Sequence, residues 1–224
     1  KDCYGQRLPS SDLELLLRER IGCSPAQLRR DFSRLIPASI QEQLETDLER
    51  RLEGEPVAYI LGFQHFFNEV YKVGPGCLIP RPETEILVET AIARLADMKS
   101  RAPVDVLDLG SGSGCVGLST AINSATEVHL VMVEKCPRAL WWTKENCKQL
   151  GDTSRVAFLE KNVLEVTQED LLWSGVKKPA VVLANPPYIS KQDSRLSEQV
   201  RDQEPPSALF ANQNGEEALF AWGR

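Results

Sequence analysis

The sequence has few of the side chains that build metal centres and histidine-dependent catalytic sites. Histidine occurs only twice, at His65 in a predicted hairpin and at His129 in a predicted strand. Cysteine occurs six times, but no two cysteines have the C-x-x-C spacing that is typical of zinc sites and redox pairs. The cysteines are Cys3, Cys23, Cys77, Cys115, Cys136 and Cys147. We therefore predict no metal site, structural histidines, and free thiols in a reducing compartment.

An excess of positive charge is also missing. The formal net charge is −6 and the sequence pI is about 5.2, whereas proteins that hold a long nucleic-acid backbone usually carry the opposite sign. The composition therefore favours a protein substrate and disfavours DNA. Five arginines near the N-terminus could meet an acidic partner or form an ordinary solvated helix face. They are Arg18, Arg20, Arg29, Arg30 and Arg34.

Long apolar runs are absent as well. No segment reaches the length of a membrane span, and residues 1–30 lack the apolar core of a secretory signal. These absences predict a soluble protein with no membrane partner. We also expect a cytoplasmic monomer. The first residue is Lys1 and not methionine, which is compatible with removal of a targeting peptide. In that case we expect the mitochondrial matrix instead.

The first part of the chain has the periodicity of helices. Leucines recur at three-to-four spacing from about residue 10 to 54 and predict three short helices in a small bundle. Ser24 and Pro25 predict the start of the second helix, and Ser39 is the expected N-cap of the third. The stripe of the second helix is Leu28, Phe32 and Leu35.

The remainder divides into a linker and an alternating α/β region. Two apolar runs, Tyr59 to Phe67 and Val70 to Val73, predict a β-hairpin linker over residues 55–80, between a helical domain (1–54) and a catalytic domain (81–224). Predicted strands at 104–109, 127–133, 155–159 and 180–184 alternate with helices near 114–122, at 137–150 and near 167–173. This alternation predicts a doubly wound, mostly parallel, Rossmann-like sheet of strand order 3-2-1-4.

An Asn-Pro-Pro-Tyr turn follows the fourth of these strands. The carbonyl oxygens of the Asn185 side chain and the Pro186 backbone can each accept one N–H of a planar amide or amine. The successive prolines Pro186 and Pro187 fix the backbone before a substrate arrives, and Tyr188 offers an aromatic face. Amide and exocyclic amine nitrogens are poor nucleophiles that must be held in place. The turn therefore predicts methyl transfer to such a nitrogen.

A glycine loop, Gly-Ser-Gly-Ser-Gly at residues 110–114, follows the first strand. Gly112, Gly114 and Gly117 satisfy the dinucleotide fingerprint, and Glu134 ends the next strand where a ribose-binding acid belongs. A nicotinamide enzyme is therefore one alternative. Asp108 favours S-adenosylmethionine, because its carboxylate would neutralise a cationic cofactor and repel a pyrophosphate. The predicted cofactor-binding residues are Asp108, Gly110, Ser111, Gly112, Ser113, Gly114, Glu134, Asn162, Val163 and Asn185.

With both motifs in place, the chain resembles the HemK-type release-factor glutamine methyltransferases. The resemblance includes Gly-Glu-Pro-Val-Ala-Tyr-Ile-Leu-Gly at 54–62 and Leu-Ile-Pro-Arg-Pro-Glu-Thr-Glu at 78–85. It also includes Glu204, Ala208, Leu209 and Gly215. It implies methylation of the glutamine in the Gly-Gly-Gln loop of class-1 release factors, with S-adenosylmethionine as donor. It further implies that the helical domain grips the release factor, and that Arg81 and Glu83 border the substrate channel.

The chain departs from that family at three places. Glu134 stands where aspartate is commoner, and Asn162 stands where the family usually has an acid. Class I methyltransferases carry seven strands, whereas only 36 residues follow Tyr188, so we expect the last strands of the fold to be missing.

Two other functions remain open: adenine-amine methylation of DNA by the same kind of turn, and a release-factor-binding module without catalysis.

Overall fold

The computed structural model describes residues 8–30, 36–100, 102–151, 155–190, 192–194 and 196–211. Three helices come first: α1 (Ser10–Ile21), α2 (Pro25–Arg30) and α3 (Ala38–Leu52). A fourth, α4 (Val57–Leu61), precedes the strands β1 (Phe63–Phe66) and β2 (Glu69–Lys72). Phe32, Leu35, Arg34, Cys3 and Gly215, which entered the predictions above, lie outside the described residues. No helix in the described ranges is long and apolar enough to cross a membrane.

The later elements alternate as the sequence predicts. They are α5 (Glu85–Asp97), β3 (Val104–Leu109), α6 (Cys115–Asn123), β4 (Val128–Glu134), α7 (Pro137–Leu150), β5 (Val156–Glu160), α8 (Gln168–Trp173), β6 (Val181–Ala184), α9 (Glu198–Gln203) and α10 (Pro206–Leu209). Short 3-10 helices lie at Pro82–Thr84 and Val163–Glu165. Proline at the first position of α7 needs no N–H partner there, and its fixed φ suits the start of a helix.

The four later strands form one parallel sheet of order β5-β4-β3-β6, which confirms the predicted order 3-2-1-4. Alternate side chains of each strand enter two different cores. Val106, Leu130 and Met132 pack on the side of α5 and α6, whereas Leu109 and Val133 pack on the side of α8. Strands buried on both faces are hydrophobic without alternation, which explains why their positions could be predicted closely.

Two sequence predictions about local structure are wrong. The run from Tyr59 was expected to be extended, but residues 57–61 form one helical turn that ends at Gly62 in the left-handed region (φ +83°). Ile60 thereby reaches the core that it shares with Leu16 of α1 and Leu48 of α3. Ser39 is not an N-cap, because α3 begins one residue before it, after Pro37.

The N-cap predicted at Ser24 is confirmed. Its hydroxyl accepts the Gln27 N–H at 3.2 Å, and the Gln27 side chain accepts the Ser24 N–H at 2.8 Å. This reciprocal pair satisfies two backbone donors at the start of α2. The predicted hairpin is also confirmed over residues 63–72, where β1 pairs with β2 in antiparallel register.

Candidate active site

The glycine loop folds over the end of the neighbouring strand β4. Gly110, Gly112 and Gly114 all have left-handed backbones, with φ of +69°, +59° and +83°. The N–H groups of Gly110 and Ser111 both donate to the Val133 carbonyl, at 2.8 and 3.0 Å. The turn therefore requires glycine at alternate positions, and its backbone is anchored on β4 by hydrogen bonds.

Glu134 lies at the end of β4, beside this loop, as the sequence predicts. Its side chain accepts the Gly112 N–H at 3.0 Å through Oε2 and the Cys136 N–H at 2.8 Å through Oε1. Each carboxylate oxygen can accept a further hydrogen bond. Glu134 therefore both shapes the loop and keeps acceptor capacity for hydroxyl groups of a ligand.

Asp108 is buried behind the loop, with 2% of its surface exposed. Its Oδ2 accepts the Gly117 N–H at 3.1 Å, and a Cβ at Gly117 would stand only 2.7 Å from that oxygen. Burial, reinforced by the charge of Glu134, raises the pKa of Asp108 to about 7, against the opposing effect of the Gly117 hydrogen bond. A nearby positive charge would favour the ionised carboxylate, so the position suits a cationic ligand.

A cavity of about 620 Å³ opens at this edge of the sheet. Predicted cofactor residues that line it are Asp108, Gly110, Ser111, Gly112, Ser113, Glu134, Asn162, Val163 and Asn185, whereas Gly114 does not. Asn162 Oδ1 already accepts the Leu164 N–H at 3.2 Å, because Asn162 caps the short helix after β5. The structure thus brings nine of the ten predicted cofactor residues to one cavity.

The contacts of the loop bear on which cofactor fits. Binding of a pyrophosphate in the dinucleotide fingerprint uses free N–H groups of the glycine loop. Here the N–H of Gly112 donates to Glu134, and the N–H of Gly114 donates to the Ser111 carbonyl at 2.7 Å. Two carboxylates, Asp108 and Glu134, also face the cavity. A ligand with a positive charge and hydroxyl groups, such as S-adenosylmethionine, fits this set of donors and acceptors.

The Asn-Pro-Pro-Tyr turn lies beside the glycine loop. Leu109 of β3 pairs with Ala184 of β6, so the next residues, Gly110 and Asn185, stand at the same edge of the sheet. Asn185 Nδ2 lies 3.5 Å from the Thr84 hydroxyl. Among the hydrogen bonds of the described residues, none engages Asn185 Oδ1. The structure therefore leaves this carbonyl oxygen able to accept a hydrogen bond.

A second cavity, of about 260 Å³, borders the same turn. It is lined by Leu78, Arg81, Thr84, Asn185, Pro186, Tyr188, Ile189, Leu196, Val200, Ala208 and Leu209. Asn185 lines both cavities, Pro187 lines the first, and Tyr188 is 60% exposed at the second. Residues of the turn therefore line both the larger and the smaller cavity, and Asn185 is shared between them.

The two predicted channel residues differ in position. Arg81 lines both cavities, but its guanidinium forms an ion pair with Glu204, a residue that is 2% exposed. The other oxygen of Glu204 accepts the Ile79 N–H at 3.1 Å. Glu83 is exposed and lines neither cavity. Arg81 is thus held in the wall of the site, whereas Glu83 lies at its outside.

Several residues at the site were missed by the sequence reasoning. Thr84 contacts Asn185, and Glu204 holds Arg81 across 123 residues of chain. Thr143 and Asn146 of α7 contact the glycine loop from behind. Thr84 and Glu204 stand in segments that carry the family resemblance, but no role at the site was predicted for them. The signal for Thr143 and Asn146 is that they are polar residues three apart within the buried stripe of an amphipathic helix.

Two family models match the chain. The PrmC N-terminal domain matches residues 4–62, and the methyltransferase small domain matches residues 84–202. Together the two models cover the helical part and most of the α/β part of the chain.

Curated relatives extend over nearly the whole chain. A release factor glutamine methyltransferase of Nitratidesulfovibrio vulgaris is 36% identical, over 96% of this chain and 72% of that protein. Proteins of the same name from Salmonella typhimurium and Escherichia coli are 34% and 32% identical, each over 92% of this chain and 70% of the relative. The chain therefore aligns with about seven tenths of each of these relatives.

Solved structures support the fold. The crystal structure of the hMettl16 catalytic domain in complex with MAT2A 3′UTR hairpin 6 has a TM-score of 0.51 to this chain, at 13% identity. The match covers 80% of this chain and 59% of the other. At this identity the likeness concerns the methyltransferase fold alone.

Proposed function

Because the chain belongs to the family of release factor glutamine methyltransferases, we propose that it methylates the side-chain amide nitrogen of a release factor glutamine. The methyl donor is S-adenosylmethionine. The observation that carries the proposal is Asn185, which stands with an available carbonyl oxygen where the two cavities meet. The larger cavity would hold the cofactor, and the smaller one would admit the glutamine.

Different residues around the larger cavity would bind different parts of the cofactor. When bound, S-adenosylmethionine supplies a methyl group on a positively charged sulfur. Glu134 would accept the ribose hydroxyls with the lone pairs that Gly112 and Cys136 leave available. Asp108 would compensate the positive charge from beneath the loop. Asn162 and Val163, after β5, would border the adenine.

Asn185 and Pro186 would act on the substrate amide. Their carbonyl oxygens would each accept one N–H, which points the nitrogen lone pair toward the larger cavity. A rigid turn lowers the entropic cost of this alignment, and positioning of this kind can supply much of a catalytic effect. Tyr188 would cover the planar group, and the Arg81–Glu204 pair would hold the wall of the channel in shape.

The helical part of the chain is our candidate for docking the partner, a class-1 release factor whose Gly-Gly-Gln loop presents the glutamine. Two glycines before the glutamine would let a narrow loop enter the smaller cavity. Arg20 is one of the basic residues of this part, but it binds Asp47 through two hydrogen bonds, at 2.6 and 3.1 Å. Its charge is therefore already paired within the protein. We further propose that the enzyme acts as a cytoplasmic monomer.

Methyl transfer from labelled S-adenosylmethionine tests the proposal directly. We expect label in a class-1 release factor and none in its Gln→Ala variant at the Gly-Gly-Gln loop. Duplex and single-stranded DNA serve as controls for the adenine-amine reaction. Label in DNA, or undiminished label in the Gln→Ala variant, would show that the proposed substrate is wrong. The assignment of the cofactor would still stand.

A further inference from the structure

Helix α7 (Pro137–Leu150) lies directly behind the glycine loop. The buried residues of its inner face are Ala139, Leu140, Thr143, Asn146 and Cys147. Thr143 and Asn146 are polar and have no exposed surface at all. Polar side chains in a buried face are destabilising unless they are hydrogen-bonded, so the identity of their partners matters.

Thr143 holds the middle of the glycine loop. Its hydroxyl lies 2.8 Å from the Gly112 carbonyl, 3.2 Å from the Ala139 carbonyl and 3.3 Å from Ser111 Oγ. A hydroxyl has one proton to donate, and the shortest distance assigns it to Gly112. Its lone pairs can then accept a hydrogen bond from Ser111.

Asn146 holds the next residue of the loop and joins it to the hairpin. Its Nδ2 donates to the Ser113 carbonyl at 2.9 Å and to the Lys72 carbonyl at 3.0 Å. Its Oδ1 accepts the Lys72 N–H at 2.7 Å. One amide thereby ties three parts of the structure together: α7, strand β2 and the glycine loop.

We propose that Thr143 and Asn146 are positioning residues for the cofactor, acting through the glycine loop and resting on the function proposed above. Glycines with positive φ lose more conformational freedom on ordering than other residues do, so such a loop needs fixed external partners. Thr143 and Asn146 fix the carbonyls of Gly112 and Ser113 on the side of α7. The Gly112 N–H of the same loop donates to Glu134, the residue proposed to bind the ribose, so the held loop also contacts that residue.

This arrangement predicts an effect on cofactor binding that is separate from catalysis. The Asn185 turn follows β6, a different strand, and has no described hydrogen bond to α7. Loosening the loop should therefore weaken binding of the cofactor while a saturated enzyme still turns over. A residue that only stabilised the fold would not separate these two quantities.

The test compares Thr143→Val, which keeps the shape and removes the hydroxyl, with Thr143→Ser, which keeps the hydroxyl. We expect the Kd for S-adenosylmethionine, measured by calorimetry without release factor, to rise about tenfold in Thr143→Val. This corresponds to about 1.4 kcal/mol. We expect kcat at saturating cofactor to stay within twofold, and Thr143→Ser to restore the Kd to within threefold of wild type.

Asn146→Leu has a matched control on the same helix. Gln149 also donates to the hairpin, from Nε2 to the Val70 carbonyl at 3.1 Å, but it does not touch the loop. We expect Asn146→Leu to raise the Kd and Gln149→Leu to leave it unchanged. Should Asn146→Leu fail to fold, the two Thr143 variants still decide the matter.

A wild-type Kd in Thr143→Val would overturn the proposal, as would a loss of kcat and stability that serine fails to restore. Because calorimetry needs no protein substrate, this result is independent of the release factor assignment. Wild-type protein that binds the cofactor but methylates no release factor would refute the proposed substrate and leave the positioning role intact.

Discussion

Replacing Asp108 by asparagine should have opposite effects on the stability of the free protein and on the binding of its cofactor. Asparagine keeps the shape of the side chain and an oxygen that can accept the Gly117 N–H. It removes the charge that burial disfavours. The free protein should therefore become more stable at alkaline pH, whereas affinity for a positively charged cofactor should fall.

The magnitude follows from the pKa of Asp108, which burial raises from 3.8 to about 7. Between these values the unfolded carboxyl is ionised while the folded one keeps its proton, so the unfolded state binds fewer protons. Stability therefore falls as the pH rises through this window and levels off above about pH 7. At 1.36 kcal/mol per pKa unit, the cost is about 2 kcal/mol at pH 5 and about 4 kcal/mol at pH 8.

Urea unfolding at pH 5 and pH 8 measures this difference. The advantage of Asp108→Asn over wild type should grow by roughly 2–3 kcal/mol between the two pH values, which removes any constant effect of the amide itself. Asp97→Asn, the same substitution at an exposed position of α5, controls for general charge effects. An advantage of equal size at both pH values would refute the argument, because it would mean that burial does not govern the Asp108 carboxyl.

The same assay with S-adenosylmethionine added tests the other half of the prediction. Cofactor at about 100 times its Kd should stabilise the wild-type protein by about 2.7 kcal/mol. The stabilisation of Asp108→Asn should be smaller, because the neutral amide cannot compensate a positive charge. Equal stabilisation of both proteins would show that the Asp108 carboxylate does not stabilise the positive charge of the bound cofactor.

Three other substitutions separate the parts of the site. Asn185→Ala should reduce methyl transfer by roughly 10²–10³, with cofactor affinity within a few-fold by calorimetry, because the lost oxygen faces the substrate; equal losses of both would make Asn185 a cofactor ligand. Glu204→Ala should lower the free energy of unfolding in urea by about 2 kcal/mol and raise the KM for release factor, because Arg81 loses its buried acceptor. An unchanged KM would show that the Arg81–Glu204 pair does not shape the substrate channel. Gly117→Ala should destabilise the free protein by about 1–3 kcal/mol in the same urea assay, since its Cβ would collide with Asp108; wild-type stability would contradict the tight contact.

The sheet could be predicted from the sequence because each buried strand is a short apolar run between clear boundaries. Strand β3 begins and ends at the predicted residues, and helix α7 does so too. The turn at α4 could not be predicted in the same way. Tyr59, Ile60 and Leu61 suit a strand or a helix equally, and tertiary contacts decide between them. Ile60 packs with the N-terminal helices, and the Tyr59 hydroxyl donates to the Cys77 carbonyl.

The residues of the candidate site also fall into a group that could be predicted from the sequence and a group that could not. Residues at strand ends, such as Asp108, Glu134 and Asn185, could be predicted because strand order brings those ends together. Residues that support them from elsewhere could not. Glu204 meets Arg81 only after the segment that follows the turn has folded back, and no local pattern in the sequence encodes that pairing.

The hydrophobic core also fixes the distance between the cofactor loop and the catalytic turn. Both follow directly from the pairing of β3 with β6, in which Leu109 stands opposite Ala184. A slip of one residue would turn the side chains of β6 to the opposite faces of the sheet. Leu183, which is 1% exposed, would leave the core, and Val182, which is 51% exposed, would enter it. Burial of one leucine therefore opposes the slip, and it keeps Asn185 level with Gly110 before any ligand binds.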